Sequence, residues 1–287
     1  MTRTDHSSAA SEPTGPAHAG AIRSARRLLT LKGRRAAGQF LAEGPQAVRE
    51  AVAAGLVQRL FVTATGADRH ADIVRAATAS GVAELLVGDT ELASLTDTVT
   101  PQGLVAVCRA TSASLNDVVA TAPRLVVVCA QVRDPGNAGT VIRCADAFGA
   151  DAVILTQGSV DAYNPKTVRA SVGSLFHLPV VTDISLEEAT DALRVAGLTV
   201  VAADGSGTRT LLDLDLTAPI AWVFGNEAWG LPADDLATAD LVAKVPMWGA
   251  AESLNLSTAA AVCLYATAAA HHTSTTAIEM PTTARTS

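Results

Sequence analysis

The stretch DPGNAGTVIRCADAFG carries two side chains, Asn137 and Arg143, whose types suit chemistry on a polyanion. It follows the apolar run RLVVVCA, so the pattern predicts a strand, a Gly/Pro turn and then a helix. A guanidinium presents a planar fork of donors that matches a phosphate, which is the functional interpretation of Arg143. Two structural alternatives stay open: Asn137 caps the helix, and Arg143 forms a salt bridge with Asp146 three positions further on.

The segment YNPKTVRASVGSLFHLP brings two more cations, Lys166 and Arg169, into one Gly-punctuated stretch before the next apolar run. Two basic residues near Arg143 in the fold would extend a phosphate-binding surface. The alternative is a solvated charged loop, which the segment favours when it is taken alone.

The segment VFGNEAWGL places Gly225, Glu227 and Trp229 directly after a buried run. A glycine at the end of a strand permits close approach of the backbone to a ligand. Glu227 beside Trp229 has no evident packing purpose at such a place, which favours a functional role.

The segment VPMWGAAESLNLSTAAAV joins a short strand to the final apolar helix. Ser253 or Asn255 could simply cap that helix. Two candidate caps with Leu254 between them favour a shaped pocket over a simple helix start.

These loops need a scaffold that brings them together, and the second half of the chain predicts one. Runs rich in β-branched residues alternate with helical patterns, which is typical of strands buried on both faces of a parallel sheet. Such a sheet binds ligands at the carboxyl ends of its strands, where the loops above lie. The predicted strands span residues 124–130, 151–156, 178–182, 198–204, 218–225 and 241–246.

The first part of the chain predicts a smaller α/β domain over residues 21–110, with helices at 43–55 and 67–81. Residues 111–123 are interpreted as a linker, and 124–270 as the parallel-sheet domain. The polar ends, 1–20 and 271–287, are predicted to be disordered.

The charge is distributed unevenly. The net charge of −7 argues against a nonspecific polyanion binder, but residues 21–50 hold seven basic side chains against two acidic ones, a local +5. This stretch predicts an RNA-binding surface, for which we select Arg26, Arg27, Arg34 and Arg35, together with Lys166 and Arg169.

Composition also excludes some classes. The four cysteines lie in apolar surroundings without a CxxC pair, so we expect reduced core thiols in a cytoplasmic protein. The first twenty residues have no apolar core of a secretory signal, and no apolar run reaches the roughly 18 residues of a membrane span. No cluster has metal-ligand spacing, so no metal is predicted.

Taken together, DPGNAGTVIRCADAFGA, VFGNEAWGL and PMWGAAESLNLSTAAAV resemble, in order and spacing, the three signature motifs of the SpoU (TrmH-like) RNA 2′-O-ribose methyltransferases. NPKTVRASVGSLFHLP resembles the segment between the first two motifs. The resemblance covers about 124–270. A weaker one, carried by FLAEGPQAVREA and TPQGLVAV, links residues 21–110 to the family's N-terminal substrate-binding domain, related to RNA-binding ribosomal proteins.

The resemblance implies a fold and a partner that the residue pattern does not establish. It implies an α/β domain with a deep trefoil knot, S-adenosylmethionine (SAM) bound among the knot loops, and a homodimer with its active site near the interface. The apolar helix 255–270 is a reasonable contributor to that contact.

The resemblance also implies roles for single residues. Arg143 would be the catalytic arginine, acting as a phosphate clamp that stabilises the developing alkoxide, since a guanidinium stays protonated and is a poor base. Asn137 would hold the ribose or arginine geometry. Three further residues match motif positions around the active site: Glu227, Ser253 and Asn255. Backbone near four positions would surround SAM: Gly225, Met247, Leu254 and Leu256.

Two rival classes remain. An oxidoreductase with a nucleotide cofactor would use VVAADGSGTR, but position 210 is Thr rather than the third glycine, and no apolar helix follows. A noncatalytic RNA-binding protein would keep the fold, although the intact set of motif residues argues against decay.

The substrate follows from the separate basic module, which favours recognition of structured RNA. We therefore expect large-subunit rRNA. A tRNA methyltransferase and an rRNA-methylating antibiotic-resistance enzyme are the alternatives.

Overall fold

The computed structural model describes residues 16–111 and 113–278, which form two compact units that meet between Ala110 and Thr111. The elements of the first unit are α1 Pro16–Arg27, α2 Leu31–Ala37, β1 Gln39–Glu43, α3 Pro45–Ala53, β2 Val57–Val62, α4 Ala64–Arg69, α5 Ala71–Ala79, β3 Ala83–Leu86, α6 Asp89–Ala93 and β4 Leu104–Arg109. Those of the second are α7 Leu115–Ala120, β5 Leu125–Cys129, α8 Pro135–Ala147, β6 Ala152–Leu155, α9 Pro165–Ser171, β7 Val180–Thr182, α10 Leu186–Val195, β8 Thr199–Ala203, β9 Arg209–Thr210, β10 Ile220–Phe224, α11 Ala233–Leu236, β11 Leu241–Lys244 and α12 Leu256–Ile278.

The first unit is built on a mixed sheet in the order β1-β4-β2-β3. Strand β4 runs antiparallel to both β1 and β2, whereas β3 is parallel to β2. Phe61, Leu41 and Val105 from this sheet pack with Leu28 of the turn after α1 in one core. The predicted α/β class is confirmed, but the helix predicted over 67–81 is divided between α4 and α5.

The predicted disorder of residues 1–20 is wrong for positions 16–20, which form the first turns of α1. This helix buries Ile22 and Ala25 in the core of its unit, and His18 Nε2 lies 3.2 Å from Glu91 Oε2. The helix therefore begins in polar sequence, because its later residues Ile22 and Ala25 hold it against the core. Residues 1–15 lie outside the described residues.

The predicted disorder of residues 271–287 is likewise wrong for 271–278, which continue α12. A ring nitrogen of His271 lies 3.1 Å from the carbonyl oxygen of Ala218, so this side chain contacts the end of the sheet. Residues 279–287 lie outside the described residues.

The second unit contains a seven-stranded sheet in the order β7-β6-β5-β10-β8-β11-β9. Every recorded pairing in it is parallel. The six predicted strands are all present, and the two-residue strand β9 was not predicted. Strands β5 and β10 lie side by side and are buried throughout, as their continuous apolar sequences predicted.

The segment predicted as a linker belongs largely to the second unit. Helix α7 buries Leu115 and Val118 in the same core as Val126 and Val200. Two amphipathic turns supply enough apolar surface to be held by packing, and the sequence pattern alone did not reveal their partner.

Helix α12 is fastened to the sheet by a buried polar contact. Trp222, at the centre of β10, donates from Nε1 to Thr267 Oγ1 at 3.0 Å, and both residues are fully buried. This bond sets α12 against the strand that ends at the Gly225–Glu227 loop. In the described part of the chain, no helix has the length and apolarity to cross a membrane.

Candidate active site

Glu227 is the centre of a hydrogen-bond network at the carboxyl edge of the parallel sheet. It follows β10, and its carboxylate accepts the backbone N–H of Arg133 at 3.2 Å and of Asp134 at 3.1 Å. It also accepts Asn137 Nδ2 at 3.2 Å. One carboxylate therefore joins the loop after β10 to the loop after β5, as expected for adjacent parallel strands.

Asn255 extends this network to the start of α12. Its Nδ2 donates to Asn137 Oδ1 at 3.1 Å, across 118 positions of the chain. Its Oδ1 accepts the N–H of Ser257 at 2.9 Å, so the same side chain caps α12. The capping alternative is therefore correct for Asn255, and the same amide also bonds to Asn137; its role in an active site stays a prediction.

The loop after β10 is held rigidly. Asn226, 5% exposed, donates from Nδ2 to the carbonyl of Gln131 at 2.7 Å and accepts the N–H of Ala228 at 2.8 Å. Backbone bonds between Asn226 and Gly230 close the turn. A Cβ at Gly225 would lie 2.4 Å from the Gly230 carbonyl carbon, so only glycine permits this close approach.

Asp134, rather than Asn137, caps α8, which corrects the capping alternative for Asn137. Asp134 Oδ1 accepts the N–H of Asn137 at 2.8 Å. This hydrogen bond, together with Lys166 Nζ at 3.2 Å, lowers the pKa of Asp134 below its usual value. The amide of Asn137 is thereby left to bridge Glu227 and Asn255.

Arg143 lies exposed on α8, and the structural alternative, a salt bridge with Asp146, is absent from the described structure. Asp146 Oδ2 instead lies 2.8 Å from His177 Nδ1. Among the described residues, no hydrogen bond or ion pair engages the guanidinium of Arg143. It therefore remains available for an anion from solution.

Lys166 and Arg169 lie on helix α9 and not in the solvated loop that the alternative predicted. Helix α9 packs closely on α8, since a Cβ at Gly139 would lie 2.5 Å from the carbonyl oxygen of Thr167. Asn164 caps α9 by accepting the N–H of Lys166 at 2.9 Å. Because Gly139 permits this close contact, α9 places Lys166 and Arg169 next to α8, the helix that carries Arg143.

A cavity of about 340 Å³ lies beside the network. It is lined by Glu227 and Ser253 and by all four residues predicted to surround the cofactor: Gly225, Met247, Leu254 and Leu256. Asn137, Arg143 and Asn255 are not among its described lining residues, so the cavity and the exposed arginine are separate parts of the site.

The sequence interpretation missed several residues of this cavity. Asp204 and Gly205 line it from the loop after β8, and Lys244 and Glu252 line it from β11 and the segment that follows. For Asp204 and Gly205 the available signal is their position directly after the buried strand β8. As a motif, this loop compares only with the dinucleotide-binding pattern, which it does not match.

The Cys129 thiol beside the network is unsuited to act as a nucleophile. Burial, together with the smaller effect of the nearby Glu227 charge, raises the pKa of Cys129, at the end of β5, to about 12. Cys108 and Cys263 are also buried, and Cys144 is partly exposed. The predicted core location therefore holds for three of these thiols.

The basic stretch of the first unit presents three of its four selected arginines. Arg26, Arg27 and Arg35 are exposed on α1 and α2. Arg34 is only 6% exposed, and its guanidinium donates to the carbonyl oxygen of Leu28 at 2.8 Å. Arg34 therefore stabilises the turn between the two helices, and its selection as an RNA-binding residue is corrected.

Comparison with known proteins identifies the family of this chain. The SpoU rRNA Methylase family matches residues 124–265, and the MRM3-like substrate binding domain matches residues 20–106. The chain is 35% identical over 241 residues to the 23S rRNA (guanosine(2553)-2′-O)-methyltransferase RlmP of Bacillus subtilis, covering 84% of this chain and 92% of that protein. The chain belongs to the SpoU rRNA Methylase family.

Solved SpoU-type structures resemble the fold over nearly its whole length. An AdoMet-bound rRNA methyltransferase from Sinorhizobium meliloti has a TM-score of 0.78 at 30% identity, covering 90% of this chain and 97% of that one. The SpoU methyltransferase AviRb from Streptomyces viridochromogenes in complex with AdoMet has a TM-score of 0.77 at 30% identity, covering 88% and 99%. These likenesses confirm the predicted fold class, while the knot stays a prediction.

Proposed function

We propose that this protein transfers a methyl group from SAM to a ribose 2′-hydroxyl in large-subunit ribosomal RNA. The observation that carries the proposal is the network of Asn137, Glu227 and Asn255, which joins three separate loops beside a cavity of about 340 Å³. Family membership supports the reaction class, and the similarity to RlmP supports the RNA.

The residues that line the cavity fit SAM. Its volume lies within the range of small-molecule sites. Met247, Leu254 and Leu256 offer apolar surface for an adenine ring, and the close packing of Gly225 on Gly230 fixes the backbone that lines the cavity there. When bound there, SAM supplies a methyl group already activated on a sulfonium.

The chain's own residues then have two tasks, which are to orient the ribose and to stabilise charge on its oxygen. Asn137 bonds to both Glu227 and Asn255, so the three loops are held in fixed positions before the substrate binds. Arg143, exposed and without a protein partner in the described structure, binds an RNA phosphate and stabilises the developing alkoxide. The hydroxyl proton leaves to that phosphate or to water, since arginine is a poor base.

The first unit supplies RNA affinity through exposed cations at Arg26, Arg27 and Arg35. Its match to an MRM3-like substrate binding domain supports this division of work. We propose a cytoplasmic location, which suits a protein that acts on ribosomal RNA.

A homodimer is part of the proposal. Helix α12 leaves Val262 37% and Tyr265 63% exposed, which provides apolar surface for a second copy. Tyr265 packs edge-on against Phe148, the residue that follows α8, with ring centroids 5.7 Å apart, so this surface adjoins the helix of Arg143. Light scattering of Tyr265→Glu against the unchanged protein tests this: a shift from dimer to monomer is expected, and an unchanged mass would move the interface elsewhere.

The decisive experiment is transfer of radiolabelled methyl from SAM to unmodified ribosomal RNA and to tRNA in parallel. Nuclease digestion then locates the label on ribose or base. Label on ribose in large-subunit rRNA is the expected result. Ribose label in tRNA alone would overturn the substrate, and no label on either RNA with SAM still bound would favour the noncatalytic alternative.

A further inference from the structure

Trp229 and Arg133 form an exposed pair on the outer side of the Glu227 network. The Arg133 guanidinium carbon lies 4.9 Å from the centroid of the Trp229 ring, which is a cation–π contact. Trp229 is 48% exposed, so much of this large ring faces solvent. Nothing in the role of Glu227 requires a tryptophan two positions later.

Both side chains are mounted on fixed backbone. Trp229 lies inside the turn closed by Asn226 and Gly230, which is tied to Gln131 through the buried amide of Asn226. Arg133 is anchored through its own N–H, which donates to Glu227 Oε2 at 3.2 Å. The carboxylate that joins the two loops therefore also sets the relative position of the pair.

The pair lies beside the cofactor cavity without forming part of it. Glu227 lines that cavity, whereas neither Trp229 nor Arg133 is among its described lining residues. The adenine of SAM therefore has its own surface, at Met247, Leu254 and Leu256. The Trp229 ring is left for a different planar group near the same carboxylate.

An RNA base is the planar group that fits. Unstacked bases in RNA are recognised by stacking on aromatic rings and on arginine guanidinium planes, and this pair offers both. A cation beside the ring also suits the negative charge of the strand. We propose that Trp229, held by Arg133, is the stacking surface for the base of the nucleotide whose ribose is methylated. This inference rests on the proposed function and adds a specificity-determining residue to it.

The kinetic test compares Trp229→Ala and Trp229→Phe with Trp248→Ala. Trp248 is a matched control, since it is 86% exposed and lies in the loop before α12. Trp229→Ala is expected to raise the KM for large-subunit rRNA by about tenfold to a hundredfold, the usual range for loss of one stacked base. The Kd for SAM should stay within about twofold, Trp229→Phe should retain most RNA affinity, and Trp248→Ala should behave like the unchanged protein.

A second readout does not depend on turnover. In a Trp248→Phe background, tryptophan fluorescence reports Trp229 together with the buried Trp222. Addition of large-subunit rRNA should quench this fluorescence, and adding Trp229→Phe should remove the quenching. Quenching without methyl transfer would refute the proposed function but retain the stacking surface. Methyl transfer without quenching would retain the proposed function and refute the stacking surface.

Three further outcomes would overturn the inference. An rRNA KM unchanged in Trp229→Ala would leave the pair as a local surface contact. Equal losses of SAM and RNA affinity would assign the ring to the cofactor site. A lower oligomeric mass in Trp229→Ala would assign it to contact with a second copy.

Discussion

Two parts of the active-site edge differ in how their polar groups are used. Asn137, Glu227 and Asn255 are bonded to one another and to backbone, so their geometry is fixed by the protein itself. Arg143, on the same helix as Asn137, is exposed and lacks a partner in the described structure. The three bonded residues shape the site, whereas Arg143 is available to bind a ligand. Substitutions in the two sets should therefore have different effects.

The largest effect is expected at the unpaired side. Arg143→Ala should reduce methyl transfer by roughly a hundredfold to a thousandfold, the usual loss for one donor to a developing oxyanion. The SAM affinity should survive, because Arg143 is not among the described residues that line the cavity. Single-turnover methyl transfer and calorimetric SAM titration measure the two quantities. Equal losses in both would contradict the separation.

Substitutions that disturb the hydrogen-bonded network should instead reduce stability, SAM binding and activity together. Gly225→Ala forces a Cβ to within 2.4 Å of the Gly230 backbone and displaces the loop that carries Glu227. We expect a loss of about 1–3 kcal/mol in the free energy of unfolding, as for overpacking, with weaker SAM binding. Gly205→Ala is the matched control, since it lines the same cavity and its Cβ would meet nothing within 4 Å. If denaturant melts and SAM titrations do not distinguish the two variants, the loop is not rigid.

The freedom of Arg143 depends on a third residue. His177 lies 2.8 Å from the Asp146 carboxylate, which would otherwise be positioned to pair with Arg143. His177→Ala should therefore lower methyl transfer by about threefold, the scale of an exposed helical ion pair. The double variant Asp146→Asn with His177→Ala should recover activity, whereas Asp146→Asn alone should change little. A loss that the double variant does not reverse would assign His177 a direct role.

The sequence predicted the parts of this site that repeat a pattern and missed those that depend on three-dimensional packing. The parallel strands were recognisable because strands buried on both faces are continuously apolar, as in β5 and β10. The selection of Glu227 and Asn255 followed from the motifs they belong to. The bond between Asn137 and Asn255 spans 118 positions, and no local pattern encodes it.

The errors have the same origin. Helix α9 was missed because a segment of seven residues with two cations resembles a loop. Its packing against Gly139 of α8 is visible only in the structure. Asp204 was missed because its loop fails the dinucleotide-binding pattern, although its position after a buried strand still places it at the cavity. Charge alone likewise could not distinguish Arg34 from Arg35.

The smallest effects are expected in the first unit, for substitutions of Arg34 and Arg35. Arg35 is exposed, whereas Arg34 is 6% exposed and donates to the Leu28 carbonyl at 2.8 Å. If exposed cations contact RNA phosphates, Arg35→Ala should reduce the slope of log affinity against log salt by about one. Arg34→Ala should lower the free energy of unfolding by about 1–3 kcal/mol, because it leaves a buried carbonyl without its donor.

Filter-binding titrations of rRNA at several salt concentrations, with thermal melts of each variant, measure both effects. Combining Arg35→Ala with Arg26→Ala and Arg27→Ala should reduce the slope further, since each lost phosphate contact releases one counterion fewer. A slope unaffected by all three replacements would move the RNA surface away from α1 and α2. The cations Lys166 and Arg169 on α9 would then be the next to replace, beside the helix that carries Arg143.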